Sequence, residues 1–229
     1  MLQIPTVISF ESAACLGVPG LTAAMTLWHW LGVALPASKK KHDNVPRFIL
    51  IWGGSTITGQ FAIQLGKLSG LSVIAVVSTK NAALATSLGA QHVITRNGKG
   101  DAEVVAAIRA ITEDSLTMAI DIVSSQTAVH SMRALSRTQQ AQIAPLCFLP
   151  DDVEVPGNVS IKNVEMKKFV LDRESRRYAV ELNGLVASGK VRLPCVEVLK
   201  GNLASVPAGL ERQKRGDMEG RKLVVTVEG

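Results

Sequence analysis

With 229 residues, the chain is long enough to bury a sizeable core as one domain, or as one domain with appendages. Hydrophobic residues make up 47% and charged residues 19%, which is typical of a soluble globular protein on the apolar side. The net charge of +6 suits an anionic cofactor or an acidic carrier protein. The basic residues form no stripe and aromatic residues are few, which argues against nucleic acid as a partner.

The cysteine and histidine patterns argue against two further classes. Three cysteines, Cys15, Cys147 and Cys195, are odd in number and far apart, so the sequence predicts a reducing, cytoplasmic compartment and no disulfide framework. The four histidines are scattered, and no Cys/His spacing resembles that of a zinc site. We therefore expect no bound metal.

The beginning of the chain raises the question of a membrane. Residues 12–38 contain no Asp, Glu, Lys or Arg and are followed by three consecutive lysines, a pattern that membrane spans can show. Pro19-Gly20 interrupts the run and leaves only about fifteen residues up to Leu35, which is short for a span. Glu11 precedes the run without a basic segment, which argues against a secretory signal. The sequence therefore favours a protein without membrane insertion.

The most informative stretch is residues 46–67, PRFILIWGGSTITGQFAIQLGK. Phe48–Trp52 is an apolar run of strand length, Gly53 and Gly54 stop it, and Gly59 opens a segment with apolar residues at helical spacing. This order builds a phosphate cradle, because the start of a helix presents unpaired N–H groups and partial positive charge. The alternative is a glycine turn that binds nothing.

Each small residue of this turn has an expected role. Gly54 lets the backbone approach the anion, Gly59 lets the helix pack close to the strand, and the hydroxyls of Ser55, Thr56 and Thr58 add donors. A Gly54→Val substitution is therefore expected to abolish cofactor binding while leaving the fold largely intact.

Two better-known phosphate loops do not match the stretch. The dinucleotide fingerprint G-x-G-x-x-G needs a glycine where Ser55 stands. Gly54 and Gly59 have the spacing of the P-loop G-x-x-x-x-G-K-[ST], but Gln60 and Phe61 follow. The lysine that grips the phosphate in a P-loop is therefore absent.

The second predicted strand indicates which cofactor is bound. Leu71–Val77 is apolar and is followed by Ser78, Thr79, Lys80 and Asn81. An NAD-binding protein would carry an acidic residue here to hold the ribose 2′-hydroxyl. Hydroxyl groups and a lysine suit a 2′-phosphate instead, so the sequence favours NADP over NAD, although a single lysine can also be an ordinary solvated charge.

Helical and strand patterns alternate through the rest of the chain. They predict helix 81–88 with Asn81 as its cap, strand 91–95, helix 101–111, strand 118–123, helix 129–135, strand 143–149, a loop and strand over 153–168, and helix 173–188. The order implies an α/β fold with a doubly wound parallel sheet of the Rossmann type.

Such sheets bind ligands at the carboxyl ends of their strands. Four groups of candidate cofactor-binding residues fall at that edge: Gly53–Thr58, Ser78–Asn81, Ser124, and Phe148–Leu149. Asp121 lies inside a predicted strand, so we expect a hydrogen-bonded structural acid there rather than a catalytic one.

Three segments, GGSTITGQFAIQLGKLSG, VIAVVSTKN and SLGAQHVI, resemble the cofactor domain of the medium-chain dehydrogenase/reductase superfamily. The similarity is greatest to the fungal trans-acting enoyl reductases that work beside polyketide synthases. The GGST…TG loop and the strand ending in Ser-x-x-Asn are typical of that group, whereas LGA is common to the superfamily. The resemblance covers about Glu11 to Gly229 and implies the zinc-free branch. In the family, the regions of Ser124 and Phe148–Leu149 face the nicotinamide and adenine side of the cofactor.

The resemblance also implies a division of the chain. AACLGVPGLTAAMTLWHWLG resembles the segment that leads into the cofactor domain, with a buried helix over Leu21–Leu31 and a basic linker over residues 36–46. Residues 1–45 are then a lead-in segment and residues 46–150 the NADP-binding domain. Residues 151–229 form a shortened substrate-side region. It ends in a strand–helix–strand unit over Cys195–Val198, Ala204–Gln213 and Lys222–Val227.

Family members carry a GroES-like barrel ahead of these segments, and this chain begins where that barrel should end. We therefore expect the chain to contain remnant segments of a missing barrel. It would then be a shortened natural form, a wrongly assigned gene product, or a domain that has taken another role. The apolar stretches Ile4–Phe10 and Leu223–Val227 meet the barrel in the family. Left bare, they predict a homodimer or a complex with a partner, and weak or no reductase activity for the isolated chain.

The function implied by the resemblance is that of an NADPH-dependent enoyl reductase of polyketide metabolism. It would act on a small-molecule or carrier-bound polyketide, possibly beside a polyketide synthase. A hydride would reach the β-carbon of a conjugated thioester and a proton the α-carbon. No acid or base in the sequence can be assigned to the proton step. The alternative is a relative without redox chemistry that binds a polyketide product as an isomerase, a cyclase or a binding subunit.

Overall fold

The computed structural model describes residues 4–36 and 47–227, and the predicted linker over residues 36–46 lies, after its first residue, outside the described residues. The strands are β1 (Phe48–Trp52), β2 (Ser72–Val77), β3 (His92–Thr95), β4 (Leu116–Asp121), β5 (Ala141–Pro145), β6 (Val159–Ile161), β7 (Val196–Leu199) and β8 (Lys222–Val225). The helices are α1 (Phe10–Ala13), α2 (Leu21–Met25), α3 (Ile57–Leu68), α4 (Ala82–Leu88), α5 (Asp101–Thr112), α6 (Ser125–Ala134), α7 (Lys168–Leu171), α8 (Arg176–Ala187) and α9 (Val206–Lys214). Short 3₁₀ turns cover Thr79–Asn81, Arg173–Ser175 and Asn202–Ser205, and π-helical turns cover Leu16–Gly20 and Thr26–Trp30.

Six parallel strands form the main sheet in the order β3-β2-β1-β4-β5-β6. The central strands β1 and β2 are mostly apolar because helices cover both faces of the sheet, and every residue of β2 is buried. Trp52 at the end of β1 lies beside Val76 of β2 and Asp121 of β4, so these three strands end together. The predicted doubly wound parallel sheet is confirmed. The sheet takes in β6, which lies beyond the expected domain boundary at residue 150.

Two predicted strands end earlier than expected. Strand β4 stops at Asp121 rather than residue 123, because the Asp121 carboxylate accepts hydrogen bonds from the N–H groups of Val123 and Ser124 and turns the chain there. Strand β5 ends at Pro145 rather than residue 149, and Phe148 has a φ of +57°, which no strand allows. Apolar residues continue past both strand ends, so sequence alone placed the boundaries too late.

Within residues 4–36 of the lead-in segment, helix α2 packs against α3 and α8. The predicted buried helix over Leu21–Leu31 is confirmed as α2 and the π-helical turn after it. The helical segment Phe10–Trp30 has the length and apolar composition of a membrane span, yet 61% of an 18-residue apolar stretch within it is buried inside the structure. The Trp28 indole N–H donates to the Ser69 hydroxyl at the end of α3 over 3.1 Å. This segment is therefore joined to the core of the sheet domain.

The chain closes with a second, two-stranded parallel sheet, in which β7 pairs with β8. Arg212 of α9 donates to the Glu197 carboxylate of β7 through its two terminal guanidinium nitrogens, at 2.6 and 3.2 Å. The predicted strand–helix–strand unit is confirmed. The expectation that Leu223–Val227 is left bare is wrong for β8, because β8 pairs with β7 and its residues are half-buried.

Candidate functional site

A cleft of about 640 Å³ lies at the carboxyl edge of the main sheet. It adjoins the ends of β1 and β4, where the order of strands reverses, and open α/β sheets bind ligands at such points. The sheet domain contributes Trp52, Gly53, Ser55, Thr56, Ile57, Val76, Val77, Ser78, Lys80, Asn81, Arg96, Asn97 and Val123. The other lining residues come from residues 213–223, which we call the C-terminal turn.

The turn between β1 and α3, which we call the glycine turn and which covers Gly53 to Thr56, is held in place by hydrogen bonds to β2 and to the start of α3. Gly53, with a φ of +93°, and Gly54 both donate their N–H groups to the Val76 carbonyl, at 3.0 and 3.2 Å. The Thr56 hydroxyl donates to the Gly53 carbonyl and accepts from the Gly59 N–H, so it caps α3. The Thr56 hydroxyl is therefore committed to the fold and is not the free donor that the sequence suggested.

The expected role of Gly54 is wrong. A Cβ built at Gly54 would lie 3.1 Å from side-chain carbons of Ala75 and Ile63, and 3.2 Å from Val77. The missing side chain therefore faces the packed interface of β2 and α3, not the cleft. A Gly54→Val substitution would damage that packing first, contrary to the expectation that it would spare the fold.

Gly59 allows the close approach that the sequence predicted, but to a different partner. A Cβ at Gly59 would collide with the Gly53 carbonyl oxygen and lie 2.8 Å from the Gly54 Cα. The start of α3 therefore rests on the glycine turn itself rather than on the strand. This contact fixes the helix start, with its unpaired N–H groups, beside the cleft.

Basic and amide groups gather at the ends of β2 and β3. Ser78, Lys80 and Asn81 line the cleft as predicted, and Arg96 and Asn97 join them from the chain after β3. Within residues 4–36 and 47–227, neither Lys80 nor Arg96 forms an ion pair, so both positive charges are available to a ligand. Arg96 and Asn97 were not predicted as site residues from the sequence, although both follow β3 at the carboxyl edge of the sheet.

Thr79 and Asn81 make contacts that differ from those predicted. The Thr79 N–H donates to the Asn97 side-chain carbonyl at 2.7 Å, and Thr79 does not line the cleft. Asn81 sits at the cap position of α4, but its amide donates to the Ser78 hydroxyl at 3.0 Å and makes no capping bond. The predicted cap is therefore wrong at the level of the side chain, and Asn81 instead orients a hydroxyl that faces the cleft.

Several predicted site residues lie away from the cleft. Thr58 is in the first turn of α3, and Ser124 caps α6 by accepting the Thr127 N–H at 3.2 Å. Phe148 is 61% exposed. Leu149 packs against the hydrophobic core on the face of the sheet that α5 and α6 cover. Val123, beside Ser124 in sequence, lines the cleft in their place.

The buried acid at the end of β4 supports the edge of the cleft. Asp121 is fully buried and accepts hydrogen bonds from the hydroxyls of Thr127 and Ser131, in addition to the N–H groups of Val123 and Ser124. Burial raises the pKa of the Asp121 carboxyl above its ordinary value, and these hydrogen bonds act in the opposite direction. The hydrogen bonds expected of a structural acid at Asp121 are therefore present.

The C-terminal turn adds charge that sequence reasoning did not assign to the site. Arg215, Arg221 and Lys222 line the cleft, together with the acid Glu219. Arg221 contacts Glu219 at 3.6 Å and Glu197 at 3.7 Å, whereas Arg215 has no ion pair in the described part of the chain. The cleft is thus lined by positive charge from two distant parts of the sequence. Among the described residues, no three His, Cys, Asp or Glu side chains gather as metal ligands would.

Comparison with known proteins identifies the family of the chain. Residues 58–180 match the family described as zinc-binding dehydrogenase. The trans-enoyl reductase traG of Penicillium crustosum is 32% identical over 251 residues, covering 99% of this chain and 68% of the relative. The trans-enoyl reductase xenG of Xenoacremonium sinensis is 29% identical, covering 97% of this chain and 64% of the relative. The chain thus spans about two thirds of the length of these relatives.

Solved structures with the same fold point in the same direction. The enoyl reductase-type cyclopropanase CurF of curacin A biosynthesis superimposes with a TM-score of 0.77 and 19% identity, over 99% of this chain and 65% of that one. A mycobacterial protein complexed with NADPH gives a TM-score of 0.76 and 19% identity, over 97% and 66%. At this identity the superpositions establish the fold alone. The family match and the curated relatives show that the chain belongs to the medium-chain dehydrogenase/reductase superfamily and is related to the fungal trans-enoyl reductases.

Proposed function

We propose that this chain binds NADPH and takes part in enoyl reduction on a polyketide substrate. The observation that carries the proposal is the cleft at the reversal of strand order, lined by the glycine turn and by unpaired cations. The names of the curated relatives support the reaction class, and the mycobacterial neighbour complexed with NADPH supports the cofactor class.

The residues of the cleft fit a dinucleotide carrying an extra phosphate. The start of α3 with its free N–H groups suits the pyrophosphate, because helix N-termini attract anions. Ser78, Lys80 and Arg96 suit the 2′-phosphate, and no acidic residue at the end of β2 competes for the ribose. NADPH, when bound, supplies a hydride to a carbon–carbon double bond conjugated to a thioester. The role of the chain itself is to bind and orient the cofactor.

Substitution of the two unpaired cations tests the cofactor preference. We expect NADPH to bind about ten- to a hundredfold more tightly than NADH, because a charge-assisted phosphate contact contributes about 1.5–3 kcal/mol. Lys80→Ala and Arg96→Ala should each weaken NADPH binding and leave NADH binding nearly unchanged. Lys99→Ala, an exposed lysine outside the cleft, is the matched control. Isothermal titration with both cofactors measures the difference, and equal affinities for the wild-type protein would refute the preference.

A turnover assay tests the reaction. We expect loss of NADPH absorbance with an α,β-unsaturated thioester, presented on a carrier protein or as a small-molecule mimic, and none with the saturated thioester. NADPH binding without consumption would instead support the non-redox alternative of an isomerase, a cyclase or a binding subunit. We further propose a soluble, cytoplasmic protein that works beside a polyketide synthase and can form a homodimer.

A further inference from the structure

One buried side chain connects the two parts of the cleft. Gln60, in the first turn of α3, is only 2% exposed. Its Nε2 donates to the Ser55 carbonyl at 3.1 Å and to the Gly220 carbonyl at 2.6 Å. Because both partners are carbonyl oxygens, which only accept, the orientation of the amide is fixed. A single NH₂ group thus joins the glycine turn to the C-terminal turn.

The position of Gly220 shows how closely the two parts fit. Gly220 has a φ of +74°, and a Cβ there would lie 2.7 Å from the Leu84 side chain and 3.3 Å from Gln60 Nε2. Among the described residues, the other hydrogen bonds and ion pairs of residues 219–222 stay within the C-terminal turn or reach β7 and the residue before it. The Lys222 N–H donates to the Cys195 carbonyl at 2.9 Å, and Arg221 contacts Glu197 at 3.7 Å. In the described part of the chain, Gln60 therefore provides the hydrogen bond that joins this turn to the nucleotide-binding elements.

We propose that Gln60 is a positioning residue that fastens the C-terminal turn to the glycine turn and thereby fixes the cationic side of the cofactor cleft. The turn carries Arg215, Arg221 and Lys222, whose distance from the start of α3 depends on where the turn is held. If the tie is lost, the turn keeps its link to the small sheet but loses its fixed distance from α3. This inference rests on the proposed binding of NADPH.

The chain provides a matched control one helical turn further on. Gln64 is also buried on α3 and also forms a long-range tie, donating to the Arg192 carbonyl at 2.9 Å and accepting the Arg192 N–H at 2.8 Å. Neither glutamine itself lines the cleft. Removing either glutamine amide costs hydrogen bonds to a distant backbone segment, but only Gln60 holds a segment that lines the cleft.

The experiment compares Gln60→Leu with Gln64→Leu by three measurements. Both variants should melt at a lower temperature than the wild type. Only Gln60→Leu should speed hydrogen–deuterium exchange over residues 215–223 and weaken NADPH binding by about tenfold in a fluorescence titration. Gln60→Met serves if the leucine variant does not fold.

Unchanged exchange over residues 215–223 in Gln60→Leu, or equal losses of NADPH affinity in the two variants, would overturn the inference. A wild-type protein that binds no NADPH would refute the proposed function. In that case the exchange measurement still decides whether Gln60 holds the turn, so the two failures remain distinguishable.

Discussion

At the scale of single residues, the three glycines after β1 serve different purposes. Gly53 takes a left-handed backbone conformation, with a φ of +93°, that turns the chain away from the sheet. Gly54 leaves room for the packing of α3 on β2, and Gly59 lets the helix start on the turn. Each is needed for a steric reason, and none needs an anion to explain it. Anion binding therefore depends on the helix start and on the cations around it.

Substitution of Gly54 separates packing from ligand binding. Gly54→Val adds three carbon atoms at a position where side-chain carbons already lie 3.1–3.2 Å from the Cβ site. We therefore expect the free energy of unfolding to fall by about 1–3 kcal/mol. Gly184→Ala, inside α8 with open space around it, should instead stabilise the protein by about 0.5–1 kcal/mol. Urea titration measures both. If Gly54→Val were as stable as the wild type but unable to bind NADPH, Gly54 would serve the ligand rather than the packing of α3 on β2.

At the scale of elements, α9 is joined to β7 by a two-pronged ion pair. The hydrogen bond from Arg212, together with its charge and that of Arg221, holds the pKa of the Glu197 carboxyl below its ordinary value. A carboxyl with a lowered folded-state pKa stabilises the fold above its unfolded pKa, about 4.3, and loses that contribution as the pH falls through the folded value. The strand–helix–strand unit of β7, α9 and β8, which carries the C-terminal turn, should therefore be less stable in acid.

The pH dependence can be tested with Glu197→Gln. We expect this variant to melt at most about 3 °C below the wild type at pH 7, because exposed ion pairs contribute little, and the difference should shrink towards pH 3. Thermal melts at several pH values provide the measurement. A melting difference that stays constant from pH 7 to pH 3 would show that the Glu197 charge contributes nothing.

At the scale of the whole molecule, the lead-in segment presents apolar side chains to solvent. Val7 is 69% exposed, Phe10 is 84% exposed and Ile4, which is near them in sequence, is 44% exposed. Clustered apolar side chains on a surface are typical of interaction sites. The two-stranded sheet of β7 and β8 also has unpaired strand edges in the described part of the chain, which favour association.

We predict that the protein self-associates through this segment. The double substitution Val7→Ser with Phe10→Ser should lower the average mass measured by light scattering at micromolar concentration. Val180→Ser is the control, because Val180 on α8 is also exposed, at 68%, but lies outside the segment. A monomeric wild-type protein, or equal behaviour of the two variants, would contradict the prediction.

The sequence by itself determined the order strand, glycine turn and helix, the parallel sheet and the cluster after β2, because all of these depend on short stretches of chain. It could not show which way the missing side chain of Gly54 points, since that depends on how Ala75 and Ile63 pack against it. It also could not show that the C-terminal turn lines the cleft, because Gln60 and Gly220 are 160 residues apart and their hydrogen bond exists only in the folded chain. Local patterns fix elements, whereas contacts between distant segments decide which residues share a site.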